Sequence, residues 1–134
     1  GGSGPYPRVR RSWCRSPTGP SRFAFRSLLD ATIRADPELE LVATAPALEP
    51  LLDALPAIEV DAVLLDWLLP DIDQDEAVRR VRAALPEAKI VVLTAVVRLS
   101  AEERARGAGA DGYVEKGPGA RELLARCKRV MLDA

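Results

Sequence analysis

The sequence predicts an α/β domain built on a doubly wound, five-stranded parallel sheet with helices on both faces. From residue 22 onward, apolar positions alternate between helical spacing and short continuous runs, which is the pattern of successive βα units. The length of 134 residues suits one such domain. We therefore expect a single domain over residues 8–134, after a Gly-rich segment at residues 1–7 that is a flexible linker or a cloning remnant.

The first half of the chain contains two helical and two strand-like patterns. The first helix is expected to end at Asp36-Pro37, because a residue before proline disfavours the helical conformation. Its apolar face consists of Phe25, Leu28, Leu29, Thr32 and Ile33. A strand over 39–43, a short helix over 48–55 and a strand over 61–66 follow. The continuous run of Ala, Val and Leu in the last of these predicts a strand buried on both faces.

The second half of the chain repeats this alternation. The predicted elements are a helix with Ala77, Val78, Val81 and Leu85 on its core face, a buried strand over 89–94, a helix from Ser100 to about Gly107–Gly109, a short strand over 111–116 and a final helix with Leu123, Leu124, Cys127, Val130 and Met131 on its core face. Ser100 is chosen as the helix start because Ser100-Ala-Glu-Glu103 has the form of a capping box.

The first strand of the sheet is the hardest element to find. Five βα units require a buried strand within residues 8–14, yet the stretch from Val9 to Cys14 mixes Arg, Ser and Trp and makes a poor one. Residues 1–29 also contain six arginines and no acid, so they carry +6 and the remaining residues carry −7. This charge makes a basic arm for nucleic acid conceivable, although the arm is short.

Composition excludes several classes of function. The chain has no histidine, which removes Ser-His-Asp triads, Cys-His proteases and ordinary zinc sites, and the chain cannot carry a phosphohistidine. Cys14 and Cys127 form no Cys-x-x-Cys pair and no plausible disulfide framework, which favours a reducing, cytoplasmic setting. We expect no membrane-spanning segment, and we do not expect the chain to be an enzyme.

Polar side chains end three of the predicted strands. Asp66, Thr94 and Lys116 fall at the carboxyl ends of strands, the edge at which open parallel sheets collect ligands and reactive groups. A carboxylate can accept a phosphoryl group, and a hydroxyl and an ammonium can contact phosphoryl oxygens. The three residues are therefore predicted to share one small cleft suited to phosphoryl chemistry.

These residues and their spacing resemble the receiver domain of two-component response regulators, a flavodoxin-like fold. Asp66 matches the phosphoacceptor, with Pro70 four residues on; Thr94-Ala95 matches the switch hydroxyl, and Lys116 the family's lysine. Tyr113 matches the aromatic switch position within Gly109-Ala-Asp-Gly-Tyr-Val-Glu-Lys116. The resemblance covers roughly residues 22–132 and is strongest to receivers of LuxR-type, NarL-like regulators.

The resemblance implies a signalling function. A histidine kinase or phosphotransfer protein would phosphorylate Asp66, and Thr94 and Tyr113 would then shift to remodel a face that engages a partner or a second copy of the chain. A DNA-binding output domain, absent from this chain, is a further expected partner. Mg²⁺ is the implied cofactor, held by Asp66 and the backbone carbonyl of Leu68.

Departures from the family leave a second interpretation open. The family holds Mg²⁺ with an acidic pair after the first strand, but no Asp or Glu precedes Asp30. In the loop after Asp66, Asp71 and Gln74 stand where the family usually has glycines. Asp71 is a minor candidate for rebuilding a metal site. We interpret Asp71, Asp73 and Asp75 as acidic residues at the start of a helix and not as a calcium-binding loop. The alternative is thus a phosphorylation-independent pseudo-receiver that acts as an interaction or ligand-sensing module.

One hypothesis links the missing acids to the excess of arginine. If Arg11 or Arg15 lies where the acidic pair would be, its guanidinium could pair with Asp66 and replace the metal cation. A small flavodoxin-like enzyme is disfavoured, because no Gly-rich phosphate loop follows a predicted strand.

Overall fold

A computed structural model describes residues 9–15, 31–45, 48–57, 60–67, 74–117 and 119–131. Within these residues, five parallel strands form one sheet in the order β2-β1-β3-β4-β5. The strands are β1 (Val9–Arg15), β2 (Leu39–Ala45), β3 (Ala62–Trp67), β4 (Lys89–Thr94) and β5 (Gly112–Glu115). The helical elements are α1 (described at residues 31–35), α2 (Leu48–Ala54) with a 3-10 turn (Leu55–Ala57), α3 (Gln74–Ala84), α4 (Leu99–Ala108) and α5 (Ala120–Met131).

Alternating side chains of the two central strands β3 and β4 build a core on each face of the sheet. Leu64 and Leu93 belong to the core that α5 covers, whereas Leu65 and Val92 belong to the core covered by α2, α3 and α4. All four side chains are fully buried. This two-sided burial is why both strands have continuous apolar sequences, and it confirms the predicted doubly wound α/β fold.

The segment from Val9 to Arg15 forms β1 despite its poor strand sequence. It lies between β2 and β3 and is hydrogen-bonded to both, so neighbouring strands satisfy its backbone on each side. The pairing with β2 shifts register between Arg11 and Ser12. Tertiary context therefore sets the conformation of this segment against its local composition.

Most helix predictions agree with the structure. The buried faces of α3 and α5 contain the predicted residues Ala77, Val78 and Val81, and Leu123, Leu124, Cys127 and Met131; Leu85 and Val130 are partly buried. Residue 35 is the last helical residue of α1 and Ile33 is buried, as predicted. Phe25, Leu28 and Leu29 lie outside the described residues.

The predicted capping box at Ser100 is wrong. Helix α4 begins at Leu99, and its N-cap is Arg98, which has an extended backbone and makes no side-chain capping hydrogen bond. Ser100 is therefore already inside the first helical turn, where its side chain cannot take the N-cap position. The predicted end of the helix near Gly107–Gly109 is confirmed. Gly109 is the C-cap residue and has a φ of 125°, a conformation that favours glycine.

No helix in the described part of the chain is long and apolar enough to cross a membrane.

Candidate functional site

Strand register brings the backbones of the three predicted site residues to one edge of the sheet. Asp66 pairs with Leu93, and the next position, Trp67, pairs with Thr94. The backbone N–H of Lys116 donates to the carbonyl of Thr94 at 2.8 Å. Residues 66 and 116 therefore each lie within one position of the level of Thr94, at the carboxyl edge where an open parallel sheet forms its crevice.

The hydroxyl of Thr94 is engaged locally. It donates to the carbonyl oxygen of Val96 at 3.0 Å and accepts from the Val96 N–H at 3.4 Å. Thr94 is half-buried and Val96 is 59% exposed, so this short turn lies at the surface. Rotating the hydroxyl toward another group at the sheet edge requires breaking both of these hydrogen bonds.

Helix α5 fixes the backbone on either side of Lys116. One guanidinium nitrogen of Arg126 donates to the carbonyl oxygens of Glu115 at 3.3 Å and Gly117 at 3.0 Å. The other donates to Glu122 at 3.2 Å, one helical turn away. Sequence reasoning missed Arg126; the Glu122–Arg126 spacing predicts an ion pair on the helix but gives no sign of the two carbonyls.

Tyr113 and Asp75 lie beside this edge on neighbouring elements. Tyr113 pairs with Val92 in the register of β4 and β5, and its half-buried side chain packs against the core on the α3 and α4 side. Asp75 lies in the first turn of α3, as expected for a helix-starting acid, and forms an ion pair with Arg104 of α4 at 3.5 Å. Leu68, Pro70, Asp71 and Asp73 lie outside the described residues.

The residue opposite Asp66 on β1 is Arg15. The register of β1 and β3 pairs Arg15 with Asp66 and pairs Arg11 with Ala62, the first residue of β3. At about 3.3 Å per residue, Arg11 is thus about 13 Å from Arg15 along the strand. Of the two arginines suggested by the sequence, only Arg15 occupies the strand position beside Asp66.

Within the described part of the chain, the donor set at this edge does not fit the Mg²⁺ that the resemblance implies. Mg²⁺ takes carboxylate, carbonyl, water and phosphate oxygens, preferably with one or two carboxylates. β1 contributes three arginines and no acid, and no group of three or more Cys, Asp or Glu able to hold a metal occurs among the described residues. Within the described ranges, β1 therefore supplies no carboxylate ligand for Mg²⁺.

Comparison with known proteins identifies the family. The model of the response regulator receiver domain matches residues 22–128. The chain is 34% identical over 105 residues to the DNA-binding transcriptional activator DevR/DosR of Mycobacterium tuberculosis, covering 78% of this chain and 48% of the relative. It is 40% identical over 82 residues to the response regulator MprA of Mycolicibacterium vanbaalenii, covering 60% of this chain and 35% of the relative. The chain thus spans less than half the length of these relatives.

Solved structures show the same fold. A two-component response regulator of the LuxR family from Aurantimonas sp. SI85-9A1 superposes with a TM-score of 0.74 at 23% identity, covering 93% of this chain and 86% of that one. A CheY-like receiver domain protein from Methanospirillum hungatei JF-1 gives a TM-score of 0.73 at 20% identity, covering 92% and 93%. With the family match over most of its length, this chain belongs to the response regulator receiver domain family.

Proposed function

We propose that this receiver domain accepts a phosphoryl group on Asp66 from a phosphohistidine of a histidine kinase or phosphotransfer protein. The observation that supports this proposal is the strand register that gathers Asp66, Thr94 and Lys116 at one sheet edge. These 134 residues contain no histidine, so the phosphohistidine lies outside this segment. Two-component signalling is the role of the family, and phosphorylation of this particular aspartate is the proposal.

The proposed transfer is a displacement at phosphorus. A carboxylate oxygen of Asp66 forms a bond to phosphorus while the bond between phosphorus and the imidazole nitrogen breaks; the electron pair of that bond stays on the nitrogen, which takes up a proton. Because little covalent chemistry is required of the protein, positioning and charge stabilisation supply most of the acceleration. In this scheme Lys116 contacts a phosphoryl oxygen, and Arg126 acts as a positioning residue that holds the backbone around Lys116.

The proposed switch starts at Thr94. Its hydroxyl would leave the backbone of Val96 and donate to a phosphoryl oxygen, which frees the turn between β4 and α4, while Tyr113 changes position on β5. Val96, Val97 and Leu99 on this segment are exposed, so its movement would alter an apolar surface available to a partner or a second copy of the chain. Hydrogen exchange of residues 95–99 should change on phosphorylation in the wild type and not in Thr94→Val.

We further propose that this protein is cytoplasmic and that its signal passes to a DNA-binding output domain. One relative is described as a DNA-binding transcriptional activator, and this chain matches only 48% of that protein. Adding a phosphodonor to the receiver together with its candidate output protein would test this step. Unchanged DNA binding after complete phosphorylation would contradict it.

Incubation with acetyl phosphate and intact-mass measurement test the central proposal. The wild type should gain the mass of one phosphoryl group, and Asp66→Asn should gain none. Asp111→Asn is unsuitable as the control, because Asp111 binds Arg82 and the backbone of Ile90. Asp53→Asn is a better control, since Asp53 is exposed on α2, and it should be modified like the wild type.

The cationic β1 position favours a second candidate function. A pseudo-receiver would keep the fold and the partner-binding face but use neither phosphate nor metal, and Arg15 beside Asp66 is the observation that points to it. The same mass measurement separates the two candidates. A folded wild-type protein that acquires no adduct from acetyl phosphate or from a phosphorylated kinase would support the pseudo-receiver.

A further inference from the structure

An arginine occupies the strand position next to Asp66 in the sheet. On one side, the register places Leu93 of β4 beside Asp66; on the other side it places Arg15 of β1. Neighbouring strands in a sheet are about 4.8 Å apart, so Arg15 and Asp66 occupy adjacent backbone positions. A guanidinium at this position is a permanent positive charge, since arginine stays protonated at any pH a folded protein tolerates.

The same strand offers no carboxylate that could compensate this charge. Of the seven residues in β1, three are arginines, none is acidic, and the single side-chain oxygen belongs to Ser12, three positions before Arg15. A divalent cation next to Asp66 would therefore be repelled by Arg15 without gaining a second carboxylate from this strand. Guanidinium groups, in contrast, match both carboxylate and phosphoryl oxygens geometrically and can bind either with two parallel hydrogen bonds.

We propose that Arg15 replaces the divalent metal ion of this site, compensating the charge of Asp66 and then of the phosphoryl group attached to it. The part that concerns the bare carboxylate is independent of phosphorylation; the part that concerns the phosphoryl group rests on the proposed function. The domain is then a receiver whose reaction does not depend on Mg²⁺.

The first test is a Mg²⁺ titration without any phosphodonor. Both tryptophans of the chain lie in the strands concerned, Trp13 in β1 and Trp67 directly after Asp66, so their fluorescence can follow MgCl₂ against matched NaCl. The wild type should show no saturable Mg²⁺ response. Arg15→Asp should acquire one, with affinity at least about tenfold higher than in the wild type, because it exchanges a repelling charge for a ligand.

Arg11→Asp is the matched control. It makes the same charge change in the same strand, but at the position paired with Ala62, away from Asp66. It should remain without a saturable response. The proposal is overturned if the wild type saturates at the same Mg²⁺ concentration as Arg15→Asp, if Arg15→Asp folds and gains nothing, or if Arg11→Asp gains as much.

The second test keeps the proposal open to refutation if Arg15→Asp does not fold. Phosphoryl uptake from acetyl phosphate is compared in excess EDTA and in MgCl₂, for the wild type and for Arg15→Gln. The wild type should react at similar rates in both buffers, whereas Arg15→Gln should be slower by about tenfold or more in EDTA. A wild type that reacts only with Mg²⁺ overturns the inference and leaves phosphorylation of Asp66 standing. A wild type that acquires no adduct in either buffer contradicts the proposed function, and the Mg²⁺ titration then decides the role of Arg15 alone.

Discussion

At the scale of single residues, close approaches between a helix and a strand determine which side chains the strand tolerates. Gly112 opens β5 and faces Val130 of α5, where a Cβ atom built on Gly112 would lie 2.9 Å and 3.1 Å from the two methyl carbons of Val130. Val130 is β-branched and in a helix, so its side chain has one strongly preferred rotamer and cannot easily turn away. Glycine at this position lets α5 pack directly on the strand that leads to Lys116.

Gly112→Ala is therefore expected to destabilise the domain by about 1–3 kcal/mol, the usual cost of overpacking. Urea unfolding measures the change. Gly107→Ala is the matched control: it lies in the last turn of α4 with no atom within 4 Å of its added methyl group, and should stabilise by about 0.5–1 kcal/mol. The double variant Gly112→Ala, Val130→Ala should recover part of the loss; an additive further loss would contradict the clash.

At the residue scale, the sequence indicates candidate site residues where a polar side chain coincides with a strand end, and their chemical roles stay predictions. Asp66, Thr94 and Lys116 could be selected because each lies at the end of a predicted strand, and the structure places their backbones together. The local bond from Thr94 to Val96 and the carbonyls bound by Arg126 were not foreseen. Their partners are backbone atoms, which leave no trace in residue identity.

At the scale of elements, one arginine joins α3 to the beginning of two strands. Arg82, near the end of α3, donates to the carbonyl of Gly109 and to the carboxylate of Asp111 between α4 and β5, and also to three carbonyls that lead into β4. Those three carbonyls belong to Leu85, Pro86 and Ala88. Asp111 in turn accepts the backbone N–H of Ile90.

Arg82→Lys should destabilise the domain by about 2–3 kcal/mol, because a lysine ammonium cannot reach the same set of acceptors as the guanidinium fork. Arg79→Lys, on the exposed face of the same helix with Glu76 as its partner, should change stability by less than about 0.5 kcal/mol. The free energies of unfolding of both variants in urea provide the comparison. If both substitutions changed the free energy of unfolding equally, Arg82 would not be the residue that stabilises the contact between α3 and the two strands.

A second tie between elements has a pH dependence. Lys128 of α5 forms ion pairs with Asp36 at 2.8 Å and Glu38 at 2.6 Å, which anchor the helix to the segment before β2. Hydrogen bonds from the Lys128 ammonium to Asp36 and then to Glu38 raise the pKa of Lys128 above its ordinary value of 10.5. Because the pKa is raised in the folded state, this stabilisation is complete below 10.5 and is lost as the pH rises through the folded pKa.

Lys128→Gln should therefore destabilise the domain by about 1 kcal/mol at neutral pH. The difference from the wild type should stay constant up to about pH 10 and shrink above it, as the wild-type lysine loses its proton. Chemical unfolding of both proteins across this range gives the curve. A difference that shrinks between neutral pH and about pH 9 would contradict the assignment.

Prediction of elements was weakest where packing, and not local pattern, decides. β1 could be required from the fold but not recognised, because its arginines and its serine are held in a strand by pairing with β2 and β3. For the same reason the sequence could not choose between Arg11 and Arg15, since only the register with β3 shows which one lies beside Asp66. The start of α4 was misplaced because a capping-box sequence also fits inside a first helical turn.

At the scale of the whole molecule, a two-sided core supports the strands that end at the carboxyl edge of the sheet. The two hydrophobic clusters lie on opposite faces of β3 and β4 and hold the ends of these strands from both sides. The first 29 residues carry +6 and the rest of the chain −7, so the strand that brings Arg15 to Asp66 belongs to the basic part and β3 to the acidic part. A basic and an acidic part of the chain are thus neighbours in the sheet at Arg15 and Asp66.

Chemical mapping of the modified residue tests the central claim most directly. An acyl phosphate is reduced by borohydride to an alcohol, which converts a phosphorylated aspartate to homoserine and marks its position for peptide sequencing by mass spectrometry. After treatment of the wild type with acetyl phosphate, we expect homoserine at position 66 and at no other acid. Homoserine at a different aspartate, with Asp66 unchanged, would contradict the account.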